Sequence, residues 1–224
     1  MSMGGHAGSL EAIPLFPLPN VVLFPRAVLP LHIFEDRYKA MTADVLAGNR
    51  MIAMALLKAG WEKDYYQFPA IEPVVCVGEI LSWEQLPDGK YNFLLQGRTR
   101  ARVIGESRWK AYRVAELSAL EESPILEIDL EHERSRMIDL FSAAPFGAMP
   151  IARQFRELLN GPIPTEAIAD LAAFNLLEDI PMKQQLLEDI DIRHRIGRIV
   201  EALRLAATHV NPGLMGFPAD PGSN

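Results

Sequence analysis

Cysteine is nearly absent from this 224-residue sequence; Cys76 is the only one. A single thiol excludes an intramolecular disulfide framework and suits a reducing compartment, so the expected location is cytoplasmic. No apolar run approaches the roughly 20 residues of a membrane-spanning helix, so no membrane partner is expected. Residues 1–10 are Gly/Ser-rich, lack the basic and apolar parts of a secretory leader, and read as a flexible start. Positive charge is in deficit: 22 Lys and Arg face 29 Asp and Glu, a formal net charge of −7. That balance argues against a dedicated nucleic-acid binder.

The usual constellations of catalysis are missing as well. A phosphate-cradling loop needs Gly, four residues, then Gly-Lys-Ser/Thr. The sole Gly-Lys, Gly89-Lys90, is followed by Tyr91, and no glycine stands five positions before it. No Gly-x-Ser-x-Gly elbow occurs. His132-Glu133 opens a zinc His-Glu-x-x-His helix, but position 136 is arginine, so a solvated helix face is expected. His32, between Leu31 and Ile33, reads as a hydrogen-bonded histidine supporting the fold, since no nucleophile accompanies it. Cys76, inside a valine run, reads as a small buried hydrophobe. The acid pairs Glu35-Asp36, Glu121-Glu122 and Glu178-Asp179 are adjacent in sequence, and helix-terminus charge accounts for them better than acid–base chemistry. No catalytic residue, cofactor or metal is expected.

What is present begins with an apolar stretch punctuated by prolines, from Ile13 to Tyr38. Each proline fixes φ and removes a backbone donor, so no helix runs through it. Val21–Phe24 and Val28–Leu29 read as short buried strands joined by rigid bends. A proline-free segment opening on Glu35-Asp36 predicts a helix to Leu46, stopped by Gly48-Asn49, both of which tolerate positive φ. Ile52–Leu57 has strand length. Residues 60–73 carry Trp61, Tyr65, Tyr66 and Phe68 among charges and read as an aromatic loop. Val74–Val77 and Glu79–Leu86, then Pro87-Asp88-Gly89 and Lys90–Gln96, predict the strongest hairpin in the chain. Arg98, Arg100 and Arg102 alternate with Thr99 and Ala101, which predicts a strand with one arginine face. Ala111–Leu117 alternates again.

The pattern then turns helical. Leu130, Met137, Ile138 and Phe141 mark one helix. Ile151, Phe155, Leu158 and Leu159 mark a second, and Ile168, Leu171, Ala172 and Leu176 a third. Met182–Glu188 forms a short helix. Ile192, Ile196, Ile199, Leu203 and Ala206 mark the last helix, with Arg193, Arg195, Arg198 and Arg204 on its other faces. Strands first and helices second predict an α+β protein. The expected units are residues 1–10 as a flexible start, 11–122 as a β-rich lobe, 123–209 as a helical subdomain and 210–224 as a disordered tail.

Three runs carry a family resemblance. They are Pro14-Leu15-Phe16-Pro17-Leu18, Val21-Val22-Leu23-Phe24-Pro25, and Leu29-Pro30-Leu31-His32-Ile33-Phe34-Glu35 with Arg37-Tyr38. Downstream, Asp88-Gly89, Gly97-Arg98-Thr99-Arg100 and Lys183-Gln184-Gln185-Leu186-Leu187-Glu188 with Asp191 and Arg195 extend the match. The sequence resembles the N-terminal, substrate-binding domain of Lon protease from about Ile13 to Ala207. One departure is Arg26, where that family usually has a small residue. The resemblance implies a β-rich, PUA-like pseudo-barrel lobe followed by a helical bundle. It also implies a non-catalytic module, since the ATPase and protease domains of that family follow this region.

Two surfaces stand out for binding. The first combines a charged rim, Glu35, Asp36 and Arg37, with the apolar anchors Trp61, Tyr65 and Tyr66, and suits unfolded or partner polypeptide. Its resemblance-implied context is ATP-dependent proteolysis, with protease or chaperone machinery as partners. The second is the stripe Arg98, Arg100, Arg102. The alternative function is therefore a PUA-like RNA-binding module, although pairing of the stripe with Glu79 or Glu84 across the sheet fits the acidic balance better.

Overall fold

The computed structural model describes residues 9–64, 68–107 and 109–209. The candidate anchors Tyr65 and Tyr66, the start 1–8 and the tail 210–224 lie outside the described residues. The elements run β1 (Ser9–Leu18), β2 (Val28–Ile33), α1 (Asp36–Ala47), β3 (Met51–Leu56), β4 (Val74–Gln85), β5 (Tyr91–Ser107) and β6 (Arg113–Ala119). Then follow α2 (Glu131–Ser142), α3 (Pro150–Leu159), α4 (Thr165–Leu176), α5 (Ile180–Glu188) and α6 (Ile192–His209). The fold is α+β, a sheet in the first half followed by helices.

The sheet order is β2-β5-β4-β3-β1-β6, and β5 also pairs with β6. That second pairing closes β1, β3, β4, β5 and β6 into a small barrel. β5 is long enough to serve twice: its first half pairs with β2, its second half with β6. β2 remains a free edge, which is where a strand tolerates Pro30. β1 is internal yet holds Pro14 and Pro17. The stagger explains this. β6 neighbours β1 only as far as Leu15, and β3 only from Leu15 onward, so each proline has a partner strand on one side alone.

Side-chain size decides which way each strand faces. In β3, Ala53 and Ala55 point into the barrel with Leu15, Val75, Val77, Ala101 and Leu117. The larger Ile52, Met54 and Leu56 point outward into a second core. That second core runs from Phe16, Phe24 and Tyr38 through to Ile196 and Leu203, so sheet and helices share one apolar layer. Small residues line a narrow barrel, and large ones fill the wider layer under the helices.

Several expectations are corrected. Val21–Phe24 is not a strand: Val22, Leu23 and Phe24 are buried but lie in irregular chain between Pro19 and Pro25. Apolar content there reports burial, not pairing. The stop after α1 uses positive φ at Arg50, not at Gly48 or Asn49; the Asn49 side chain accepts a hydrogen bond from the Met51 amide. The hairpin strands run unbroken through Gly78 and Gly97. Its turn is as expected, with Gly89 at φ +79° and Asp88 Oδ1 accepting from the Lys90 amide. Arg195 is not on a solvated face of α6 but is fully buried. Glu133, likewise, is buried, 3.3 Å from Arg193.

Candidate functional site

The first helix and the aromatic loop meet at a cleft of about 100 Å³. β1 supplies Leu15 and Pro17, α1 supplies Arg37 and Tyr38, and the loop supplies Phe68 and Pro69. The chain entering β6 closes the end with Ala111, Tyr112 and Arg113. Local chemistry fixes each wall. Glu35 offers no side-chain cap to α1; its carboxylate instead accepts from Arg37 Nε at 3.0 Å. The Arg37 guanidinium lies 4.6 Å from the Tyr38 ring centroid, and Tyr38 packs on Phe16 at 4.5 Å. Arg113 holds the opposite wall: it donates to the Pro69 carbonyl at 2.7 Å and forks onto Glu106 at 2.8 Å.

Behind α1, Asp44 Oδ2 accepts from Lys110 Nζ at 2.5 Å and from the Tyr112 hydroxyl at 2.6 Å. The hydrogen bonds from Lys110 and then Tyr112 hold the Asp44 carboxyl below its ordinary range. Asp44 in turn raises the Lys110 ammonium. Burial, and then the Asp44 hydrogen bond, raise the Tyr112 phenol.

The residues singled out from sequence are only partly gathered here. Arg37 lines the cleft and Glu35 is joined to it. Asp36 is exposed and paired with Lys39 at 2.7 Å, away from the lining. Trp61, in a 3-10 turn spanning Trp61–Asp64, is half-buried and does not line the cleft, whereas Phe68 does. Trp109 and Tyr112 were not singled out. Their signal was a Trp-Lys-x-Tyr run in the connection between two strands, where a large aromatic has no strand face to fill.

The arginine stripe does not form one face. Arg98 is exposed and pairs with Glu79 at 2.7 Å, as expected across the sheet. Arg100 is buried beneath the helices. Its Nη2 donates to both Asp170 oxygens at 2.8 and 2.7 Å, and its Nε donates to the Leu187 carbonyl at 3.1 Å. Arg195 of α6 reaches Asp170 at 3.1 Å and the Asp189 carbonyl at 2.6 Å. Glu122 Oε1 lies 3.2 Å from Arg100 Nη1 and 2.6 Å from Arg195 Nη1. Glu122 is thus an ion-pair partner, not a helix-terminus charge. Burial lowers the Arg100 guanidinium, but the charges of Asp170 and Glu122 outweigh it and hold the group above its usual value.

A fifth charge borders this quartet. Glu166, at the start of α4, shares a cleft with Arg26, Arg98, Glu122 and Asp170. Burial, then repulsion from Glu122 and Asp170, raise its carboxyl, while Arg195 and Arg26 pull it down less strongly. A carboxyl raised on folding stabilises the protein when protonated, and that contribution is lost as pH rises through the folded value. Glu166→Gln is therefore expected to melt higher than the parent at about pH 7.5, with the advantage shrinking toward about pH 4 as the glutamate takes up its proton. Thermal melts at the two pH values check this; an advantage that grows on acidification contradicts it.

His32 Nδ1 lies 2.7 Å from Asn92 Oδ1 in an exposed cross-strand contact. Burial pushes the Cys76 thiol up to about 12, so it stays protonated near neutrality. Among the described residues, no group of three or more His, Cys, Asp or Glu is placed to hold a metal ion. No helix among them is long and apolar enough to cross a membrane.

Comparison with known proteins places this architecture. Residues 12–204 match the family model of the ATP-dependent protease La (LON) substrate-binding domain. The Lon protease of Dictyoglomus thermophilum is 28% identical over 197 residues, covering 84% of this chain and 24% of that protein. Lon protease 2 of Sorangium cellulosum is 26% identical over 206 residues, covering 87% of this chain and 26% of that protein. The chain thus spans about a quarter of the length of these curated relatives. Among solved structures, the N-terminal domain of a Mycobacterium avium complex Lon protease superposes with a TM-score of 0.68 at 15% identity, covering 87% of this chain and 98% of that one. A Lon N-terminal domain protein from Xanthomonas campestris gives 0.60 at 22% identity, covering 86% and 98%. At those identities the superpositions speak for the fold, and the family match spans nearly all the described residues. The chain belongs to the Lon protease substrate-binding domain family.

Proposed function

We propose that this chain is a non-catalytic module that binds unfolded or partner polypeptide, in service of ATP-dependent proteolysis, through the cleft between α1 and the aromatic loop. The observation that carries the reading is the joining of Arg37 and Phe68 in one cleft of a substrate-binding-domain fold. Leu15, Pro17, Leu57 and Pro69 give it an apolar lining, and Phe68 is 40% exposed at its wall. An apolar hollow of that kind gains free energy by taking up an apolar side chain, at about 25 cal/mol per Å² removed from water. Glu35, Asp36 and Trp61 extend the proposed surface around the cleft. The RNA-binding alternative loses its central residue, because Arg100 is committed to Asp170 and Glu122 in the interior.

Fluorescence anisotropy with labelled β-casein, a polypeptide without stable fold, tests the reading. The double variant Arg37→Ala/Phe68→Ala is expected to weaken binding by roughly tenfold, the loss of a modest interface hot spot, with the melting temperature nearly unchanged. Casein binding equal to the parent's removes the cleft from the proposal; no binding by the parent removes the function.

A further inference from the structure

Trp109 is the most exposed aromatic side chain described. It is 69% accessible, against 60% for Phe34, 47% for Trp83 and 40% for Phe68. Tryptophan is normally among the more buried residue types, and exposed indoles are enriched at binding hot spots. This one is held in place. The Lys110 ammonium lies 4.9 Å from the centroid of the Trp109 ring and 5.3 Å from that of Tyr112. The same ammonium is anchored by Asp44 of α1. One side chain therefore ties the indole to the first helix and to a residue that lines the cleft. Two residues further on, Ala111 begins the lining itself.

Among the described residues, three cations that line or brace the cleft are paired. Arg37 is paired with Glu35, Arg113 with Glu106 and Lys110 with Asp44. Each of these three cations is thus met by a carboxylate. The cleft volume of about 100 Å³ is of the order that takes one apolar group, since an apolar cavity of roughly 150 Å³ accepts a benzene. Resting on the peptide-binding reading above, we propose that Trp109 is a binding residue beside this cleft, just outside its lining. Its accessible ring receives an uncharged, apolar part of the polypeptide, and the Lys110–Asp44 pair positions it. Recognition by apolar contact, with these three cations already paired, predicts binding that salt does not weaken.

The test is a set of casein titrations read by anisotropy and by tryptophan emission. Trp109→Ala is expected to weaken binding roughly tenfold, with Trp109→Phe retaining most of the affinity because a ring remains. Affinity is expected to hold between about 50 and about 500 mM NaCl, where surface ion pairing is screened out. Casein should shift the emission of the parent to the blue, and the shift should be smaller in Trp109→Phe, where Trp61 still responds. Asp44→Asn probes positioning: it should alter the emission of the uncomplexed protein as well as weaken binding. Trp83→Ala, beside a second open groove on the outer face of the β4–β5 hairpin, serves as the competitor. Unchanged affinity in Trp109→Ala, or loss confined to Trp83→Ala, overturns the role of Trp109 and leaves peptide binding standing. A steep loss of affinity with salt overturns the apolar mode. Absence of casein binding by the parent overturns both this inference and the reading beneath it.

Discussion

Asp170→Ala is expected to cost about 3–5 kcal/mol of folding stability, the usual penalty when one partner of a buried ion pair is removed. For a chain of this length, each kcal/mol moves the melting temperature by roughly 2–4 °C. The reason lies in the arithmetic of the buried quartet. Arg100 and Arg195 are 3% and 1% exposed, and Asp170 is the one carboxylate to which both donate hydrogen bonds. Without it, two guanidinium groups share Glu122, which is 23% exposed and reached from the edge of the cleft. Arg195→Met is a milder change, because the Arg100–Asp170 fork survives it. The double variant Asp170→Ala/Arg195→Met should lose less than the sum of the singles, since the second substitution removes a charge that the first left stranded. Urea melts of the four proteins check the cycle. A loss under about 1 kcal/mol for Asp170→Ala would place the pair among ordinary surface salt bridges.

The quartet also marks the limit of what the sequence discloses. A period of two tells which residues share a strand face, and Arg98, Arg100 and Arg102 obey it. The period does not tell what covers that face. Asp170 lies 70 positions beyond Arg100, on a helix whose own apolar pattern was read correctly, and a single sequence holds nothing that couples the two. The same gap explains Arg195 and Glu122. Elements with strong local signals were legible: the Pro-Asp-Gly turn, the helices, and the short strand expected over Ile52–Leu57 and found over Met51–Leu56. Val21–Phe24 misled because composition reports burial and only neighbours decide pairing. The candidate site divides in the same way. Arg37 and the aromatic loop were visible because each is a local cluster. Trp109 was not, because its place beside α1 depends on Asp44, 66 residues before Lys110.

Gly97→Ala is expected to destabilise by at least about 3 kcal/mol, the upper range for overpacking, because the atoms in the way are backbone. A Cβ at position 97 would stand 2.1 Å from the Phe24 carbonyl oxygen and 2.8 Å from its carbon. Neither chain can retreat cheaply. The Gly97 amide donates to the Ala27 carbonyl at 2.9 Å, and the Gly97 carbonyl accepts from the Arg26 amide at 2.8 Å. Arg26 itself holds φ at +67°, a left-handed conformation that an L side chain adopts at some cost. The glycine is thus required by close approach of the bend before β2, not by its own dihedral angles. Gly197→Ala supplies a control of opposite sign. It lies within α6 with nothing inside 4 Å of the added Cβ, so alanine should stabilise by up to about 1 kcal/mol. If Gly97→Ala melts like the parent, the β5–bend contact is looser than its hydrogen bonds imply. Together with Asp170→Ala, this variant gives the Gly97-x-x-Arg100 run a physical meaning. Its glycine admits the bend that leads into β2 on one side of β5. Its arginine, three residues on, fastens the helices to the same strand. A run that drew attention as part of a family resemblance therefore acts on the fold.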